Sequence, residues 1–89
     1  MTIDIPEDLA TICRLVVAEG KSDDEWAEIE SDDMFQEGSV HGGYDATERA
    51  FCFSYYRPDG EELWLQLTLT EVAAVAAGSL ISMEARLAE

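Results

Sequence analysis

Apolar residues near the start of the chain recur at the spacing of one helical face. The members of this face are Ile5, Leu9, Ile12, Cys13 and Val16. Pro6 suits the first turn of a helix, because its missing N–H would find no partner there, and Gly20 suits the residue that ends one. The spacing therefore predicts a first helix from about Pro6 to Glu19.

A second, shorter helix is predicted directly afterwards. Ser22 and Glu25 have the spacing of a capping box, in which each side chain bonds the backbone N–H of the other residue. Trp26 and Ile29 then share one face, whereas most of the other residues are acidic. We expect this helix to end near Ser31 and to fray there, because acids at a helix C-terminus oppose its dipole.

Alternation of apolar and other residues predicts two strands joined by a tight turn. Pro58 and Gly60 fit a three-residue loop between Arg57 and Glu61, because proline presets the first turn position and glycine accepts the left-handed one. With this turn, apolar residues face each other on one side of the sheet. The predicted pairs are Tyr55 with Leu63, Phe53 with Leu65, and Phe51 with Leu67.

Upstream of this hairpin, residues 38–44 predict a weaker strand. Its glycines suggest a bulge or a close approach of two backbones. Residues 45–48 would turn this strand into the next one, which gives a three-stranded antiparallel meander.

The segment after the hairpin predicts a C-terminal helix. Thr70 is expected to cap it, with Glu71 as its first residue and Gly78 as its end. A last turn or two, capped by Ser79 or Ser82, would carry Leu80, Ile81, Met83 and Leu87. The predicted fold is α+β: an N-terminal helix, a short acidic helix, a three-stranded antiparallel β-meander and a C-terminal helix.

Composition narrows the class of protein. The chain has 89 residues, of which 47% are hydrophobic, which predicts one folded domain over residues 1–89. Its 20 acidic and 5 basic residues give a net charge of −15. Such a polyanion repels nucleic acid phosphates and anionic membranes, so the expected partner is a basic protein surface.

No stretch reaches the ~20 apolar residues of a membrane helix, and residues 1–8 lack the pattern of a signal peptide.

Catalytic and metal-binding motifs are scarce. His41 is the only histidine, and its place between a valine and two glycines is more typical of a strand or turn than of a general base. Cys13 and Cys52 form no CxxC pair, which favours two reduced cysteines, with one disulfide closing a long loop as the alternative. The acids lack the spacing of a calcium-binding loop. We therefore expect no catalytic residue, no metal site and no cofactor.

An uninterrupted acidic segment is the most distinctive feature of the chain. From Asp23 to Glu37 it carries eight acids and no lysine, arginine or histidine. A solvated face that only confers solubility is the simpler explanation, but −15 exceeds the magnitude of ~2–8 usual for a small domain. We therefore predict a partner-binding surface. Its residues are Asp23, Asp24, Glu25, Glu28, Glu30, Asp32, Asp33 and Glu37, together with Asp59, Glu61 and Glu62 at the hairpin tip.

Two aromatic residues form a second candidate surface. Tyr56 and Trp64 alternate with the apolar residues of the hairpin, so they lie on its other face. Either a helix covers them or they are exposed as anchors for a partner, since such side chains dominate interface hot spots. Exposure is also compatible with a homodimer, and the sequence leaves monomer and homodimer open.

In size, charge and order of elements, the chain resembles the small acidic anti-CRISPR proteins of phages that mimic DNA. The resemblance implies that helix acids such as Asp23 and Asp24 stand in for phosphates. It also implies a target in the DNA-binding path of a CRISPR effector complex, in the cytoplasm of a bacterial host. An immunity protein that neutralises a nuclease toxin is the first alternative, and a small adaptor that binds through Tyr56 and Trp64 is the second.

Overall fold

The computed structural model describes residues 1–29 and 34–88, which contain three helices and seven strands. The helices are α1 (Glu7–Glu19), α2 (Asp23–Ile29) and α3 (Leu69–Ala76). The strands are β1 (Thr2–Asp4), β2 (Phe35–Glu37), β3 (Val40–Asp45), β4 (Ala50–Tyr56), β5 (Glu62–Leu67), β6 (Ser82–Glu84) and β7 (Arg86–Leu87).

The strands form two antiparallel sheets. The larger sheet has the order β2-β3-β4-β5-β7, and β1 pairs with β6 in a separate two-stranded sheet. The turn of the β4–β5 hairpin closes with the N–H of Arg57 donating to the carbonyl of Glu61 at 2.8 Å. The predicted register is confirmed, because turn geometry and side-chain alternation impose the same pairing. The observed pairs are Tyr55 with Leu63, Phe53 with Leu65, and Phe51 with Leu67.

The core lies between one face of the larger sheet and the helices. The predicted apolar face of α1 is buried at Leu9, Ile12, Cys13 and Val16, whereas Ile5 is only half-buried. Trp26 anchors α2 to the sheet, with its ring centroid 5.2 Å from that of Phe51 and 6.1 Å from that of Phe35. Among the described residues, helices therefore cover one face of the sheet and not the other, as antiparallel sheets allow.

The predicted α+β class is correct, but the predicted three-stranded meander followed by a C-terminal helix is wrong. β2 and β7 extend the meander to five strands. After α3, the left-handed Gly78 (φ 79°) ends the helix, and the chain continues as β6 and β7 rather than as a last helical turn. Met83 pairs with Ile3, and Leu87 pairs with Leu63. These short strands satisfy their backbone groups on distant partners, β1 and β5, which no local pattern encodes.

The start of α3 also corrects the prediction. Thr68, and not Thr70, is the N-cap: its hydroxyl accepts from the N–H of Glu71 at 3.2 Å, and the Glu71 carboxylate accepts from the N–H of Thr68 at 2.8 Å. This is a reciprocal capping box. Thr70 therefore lies inside the helix rather than at its boundary.

A close approach of two strands requires glycine at position 42. Gly42 has a φ of 154°, and a Cβ atom there would overlap the carbonyl oxygen of Cys52 on β4. The weaker strand predicted over residues 38–44 is thus observed as β3, with the predicted close approach of backbones at this residue.

Candidate interaction surfaces

Two acids of α2 attach this helix to the rest of the molecule. The carboxylate of Asp23 accepts a hydrogen bond at 2.8 Å from the hydroxyl of Tyr44, which is buried in β3. The carboxylate of Asp24 pairs with Arg49 at 3.0 Å, next to the first residue of β4. These contacts tie α2 to the sheet at the β3–β4 turn, so both acids have a structural role.

A third acid caps the same helix. The carboxylate of Glu25 accepts from the backbone N–H of Ser22 at 3.0 Å, and the Ser22 hydroxyl accepts from the N–H of Glu25 at 3.2 Å. The predicted capping box is confirmed. The backbone N–H and the hydroxyl of Ser22 hold the pKa of Glu25 below its ordinary value, because both interactions favour the ionised carboxylate.

The rest of the predicted acidic segment is divided between helix and strand. Glu28 is exposed on α2 and bonds no other described residue, whereas Glu37 is half-buried in the edge strand β2. The predicted site residues Glu30, Asp32 and Asp33, and the predicted helix end near Ser31, lie outside the described residues.

The hairpin tip is a separate acidic group. Asp59 accepts from the backbone N–H of Glu61 at 2.9 Å and lies 4.0 Å from the Arg57 guanidinium, while Glu62 is the first residue of β5. The tip and the Asp24 contact lie beyond opposite ends of β4, about 26 Å apart over the eight residue steps from Arg49 to Arg57 at ~3.3 Å per residue. The predicted site residues therefore form two groups, and a partner must be extended to touch both.

Basic side chains are mostly neutralised by nearby acids. The ion pairs are Arg14 with Glu7 (3.3 Å), Lys21 with Glu19, Arg49 with Asp24 (3.0 Å) and Arg57 with Asp59 (4.0 Å). Arg86 alone among the five basic side chains forms no ion pair with a residue in 1–29 or 34–88. The basic residues are thus spread among acids and create no positive region on the helical side of the molecule.

The face of the larger sheet that points away from the helices is uncovered within the part of the chain that is described. Tyr56 and Trp64 are 48% and 47% exposed, so no described helix covers them. The His41 ring stacks on Tyr56 with centroids 5.7 Å apart and planes at 16°. We call this surface the open face. By strand pairing, its members are Gln36, His41, Gly43, Asp45, Cys52, Ser54, Tyr56, Glu62, Trp64, Gln66 and Arg86.

A groove of about 410 Å³ crosses the open face beside Trp64. It exists because the central strand carries the small residues Cys52 and Ser54 between larger neighbours. The charged residues that line it are Asp45, Glu48 and Arg86. The acids lie towards the β3–β4 turn and the arginine lies on the edge strand β7, so the groove has a negative end and a positive end.

Neither cysteine of the chain has a thiol activated for nucleophilic attack. Burial raises the pKa of Cys13 to about 11. Burial also raises the pKa of Cys52, and the carboxylates of Asp45 and Glu48 raise it further. Both thiols are free and stay protonated near pH 7. Residues 1–29 and 34–88 contain no group of three or more histidine, cysteine or acidic side chains that could hold a metal ion.

The sequence did not predict three residues that belong to or support the two candidate surfaces: Tyr44, Arg49 and Arg86. Tyr44 and Arg49 lie 21 and 25 positions after the acids they contact, beyond the reach of helical or strand periodicity. Arg86 belongs to a strand of two residues, which is too short for an alternating pattern. The alternation on β5 places Trp64 and Gln66 on one face, but it does not indicate that Arg86 pairs opposite Trp64.

Comparison with known proteins gives no relative for this chain: no family model, curated protein or solved structure matches it. Among the described residues, no helix is long and apolar enough to cross a membrane. Function must therefore be inferred from the charge and geometry of the two surfaces.

Proposed function

We propose that this protein is a non-enzymatic inhibitor that binds a basic, nucleic-acid-binding surface of another protein. The observation that carries the proposal is the net charge of −15, combined with the placement of four of the five basic side chains against acids. The anionic field of the molecule attracts a basic groove and speeds the encounter with it.

The acids divide into two roles in this proposal. Asp23 and Asp24 hold α2 against the sheet and Glu25 caps the helix, so these three carboxylates have partners within the chain. Exposed acids such as Glu28 and Glu61 supply carboxylates that can pair with arginine and lysine of a partner. The fixed carboxylates contribute to the anionic field, whereas the exposed ones lose side-chain entropy when they pair with a partner.

The resemblance to anti-CRISPR proteins makes a CRISPR effector complex in the cytoplasm of a bacterial host the first partner to test. The inhibitor would occupy the path of the target DNA and exclude it. A nuclease toxin presents the same basic chemistry in its active cleft, so an immunity protein remains the alternative within this proposal.

The test is competition for DNA. A fluorescently labelled duplex is bound to a CRISPR effector complex or to a catalytically inactive nuclease toxin, and its anisotropy is followed as the protein is added. We expect displacement at ~50 mM salt that weakens strongly at ~500 mM, because screening removes the electrostatic attraction. The double variant E28K/E61K should require at least ~10-fold more protein.

A charge-matched control separates a defined surface from general acidity. D4K/E7K makes the same change in net charge at exposed positions on β1 and α1. We expect this control to stay within ~3-fold of the natural protein. Equal loss in both variants would show that only total charge matters, and no displacement from either partner would refute the proposed inhibition.

A further inference from the structure

We propose that the open face is the interface of a symmetric homodimer, in which Trp64 of one copy fills the groove of the other and Arg86 pairs with the second copy's Asp45. The inference goes beyond the proposed function, because it concerns the opposite side of the sheet from the acidic helix. It depends on the pairing register, the shape of the groove and the charges at its two ends.

Strand pairing places the residues of the open face in rows. The first row holds His41, Ser54, Trp64 and Arg86, the second holds Gly43, Cys52 and Gln66, and the third holds Asp45, which pairs with the buried Ala50. With ~4.8 Å between strands and ~3.3 Å per residue, Arg86 and Asp45 are about 20 Å apart across the face. They are therefore too distant to pair within one chain.

A second copy brings these charges together. One two-fold axis in the plane of the face, at roughly 45° to the strands, carries Arg86 over the second copy's Asp45. The strands of the two sheets then cross at roughly 90°, which is one of the two common modes of sheet packing. Because the interface is symmetric, this pair forms twice.

The same two-fold axis also brings the Trp64 ring of one copy to the groove of the other. It places Trp64 of each copy near Cys52 of the other, which forms the floor of the groove together with Ser54. This floor is low because its residues are small, and the groove of about 410 Å³ has room for an indole ring. Trp64 is 47% exposed in the single chain, so its burial contributes to binding as aromatic anchors commonly do.

The charge distribution of the open face is compatible with self-association. Arg86, which has no ion-pairing partner in the described residues, lies here, and the centre of the face is uncharged at Gly43, Cys52, Ser54 and Gln66. A stable interface takes ~800 Å² from each copy, roughly 15% of the 5201 Å² accessible on this chain. One uncovered face of a two-layer domain is of that order.

Repulsion between two copies of charge −15 opposes the dimer and gives it a distinctive salt response. The repulsion acts over long distances and is screened by salt, whereas a pair covered by the interface is screened much less. Dimerisation should therefore strengthen as salt rises. Binding of a basic partner by the acidic surface should weaken, so the two proposals fail independently.

The experiment is sedimentation velocity over ~5–200 µM protein at ~50, ~150 and ~500 mM salt, with folding of each variant checked by circular dichroism. We expect a monomer–dimer equilibrium whose dissociation constant falls at least ~5-fold between the lowest and highest salt. W64A should raise this constant at least ~10-fold, whereas L15A, at an equally exposed apolar residue on α1, should leave it unchanged.

A charge swap tests the pairing directly. R86E and E48R, the latter placing a positive charge beside Asp45, should each be monomeric, and their mixture should form a heterodimer because opposite charges then meet again. R14E makes the same change as R86E on α1 and should still dimerise. A monomer under all conditions, or a dimer indifferent to both W64A and R86E, would overturn the proposal.

Discussion

The two tryptophans mark two regions built on opposite principles. Trp26, on the acidic helix, has no exposed surface and packs against the rings of Phe35, Tyr44 and Phe51. Trp64, on the open face, is 47% exposed and makes no ring contact with another described residue. The same residue type closes the core on one side of the sheet and projects into solvent on the other.

The difference extends to the charged residues of the two regions. On the acidic helix, two acids bond residues near the β3–β4 turn, a third caps the helix, and Glu28 is exposed. On the open face, Arg86 has no acidic partner among the described residues. Most acids of the charged helix thus have structural contacts within the chain. On the open face, which carries few charges, Arg86 is still available to a partner.

The largest effect should come from truncating the two tryptophans. Trp26→Ala removes a fully buried side chain and should lower the free energy of unfolding by ~3–5 kcal/mol, because the cavity it leaves adds to the lost burial. Trp64→Ala should cost less than ~1 kcal/mol in monomer stability, since its ring is already half in water. Urea denaturation followed by circular dichroism, at protein concentrations low enough to keep the chain monomeric, measures both. Similar losses in the two variants would contradict the division into a closed and an open side.

A middle-sized effect should separate structural acids from available ones. Asp23→Ala leaves the buried Tyr44 hydroxyl without its acceptor and should cost ~1–3 kcal/mol of unfolding free energy. Glu28→Ala, on the same helix, should stay within ~0.5 kcal/mol of the natural protein. Tyr44→Phe combined with Asp23→Ala should cost less than the sum of the single changes. Additive costs would mean that this hydrogen bond does not hold the helix.

The smallest effect should appear as a difference in pH dependence. The Ser39 backbone N–H and hydroxyl both donate to Asp8 at 3.0 Å and hold the pKa of Asp8 below its ordinary value. A carboxyl with a lower pKa in the folded state stabilises the fold above its unfolded pKa of ~3.9 and loses that contribution as pH falls through the folded pKa. The urea midpoints of the natural protein and Asp8→Asn should therefore differ at pH 7 and converge as the pH falls below the lowered folded pKa of Asp8.

Glu62→Gln supplies the control for that measurement, because it removes the same charge from the open face. Its urea midpoint should stay close to that of the natural protein at pH 7. If Asp8→Asn also matches the natural protein at pH 7, the contact between α1 and the β2–β3 turn adds nothing to stability.

Sequence reasoning succeeded where the determining contacts are local. The hairpin register follows from a five-residue turn and the alternation beside it, and the capping box of Ser22 and Glu25 lies within four residues. The same rule should have located the start of α3. Thr68 and Glu71 have the capping-box spacing, but the predicted strand alternation continues to Leu69 and includes Thr68, so the predicted cap falls at Thr70.

Sequence reasoning failed where a segment forms a strand by pairing with a segment distant in the chain. β6 has three residues and β7 has two, and both are strands because β1 and β5 offer unpaired backbone groups. Apolar residues such as Leu80 and Met83 fit a helical turn equally well when these partners are unknown. The same limit applies to the candidate surfaces. Charge and alternation indicated the acids, Tyr56 and Trp64 as surface candidates. They did not indicate the contacts of Tyr44 and Arg49 that fix the helix.

The contrasting burial of Trp26 and Trp64 also gives the molecule two optical reporters without any label. Emission from Trp26 comes from an apolar environment and follows the integrity of the helical layer, while Trp64 emits from water and is open to collision. A neutral quencher such as acrylamide reaches Trp64 first, whereas iodide is held off by the charge of −15. The fluorescence of the natural sequence can therefore follow unfolding and association as two separate events in one cuvette.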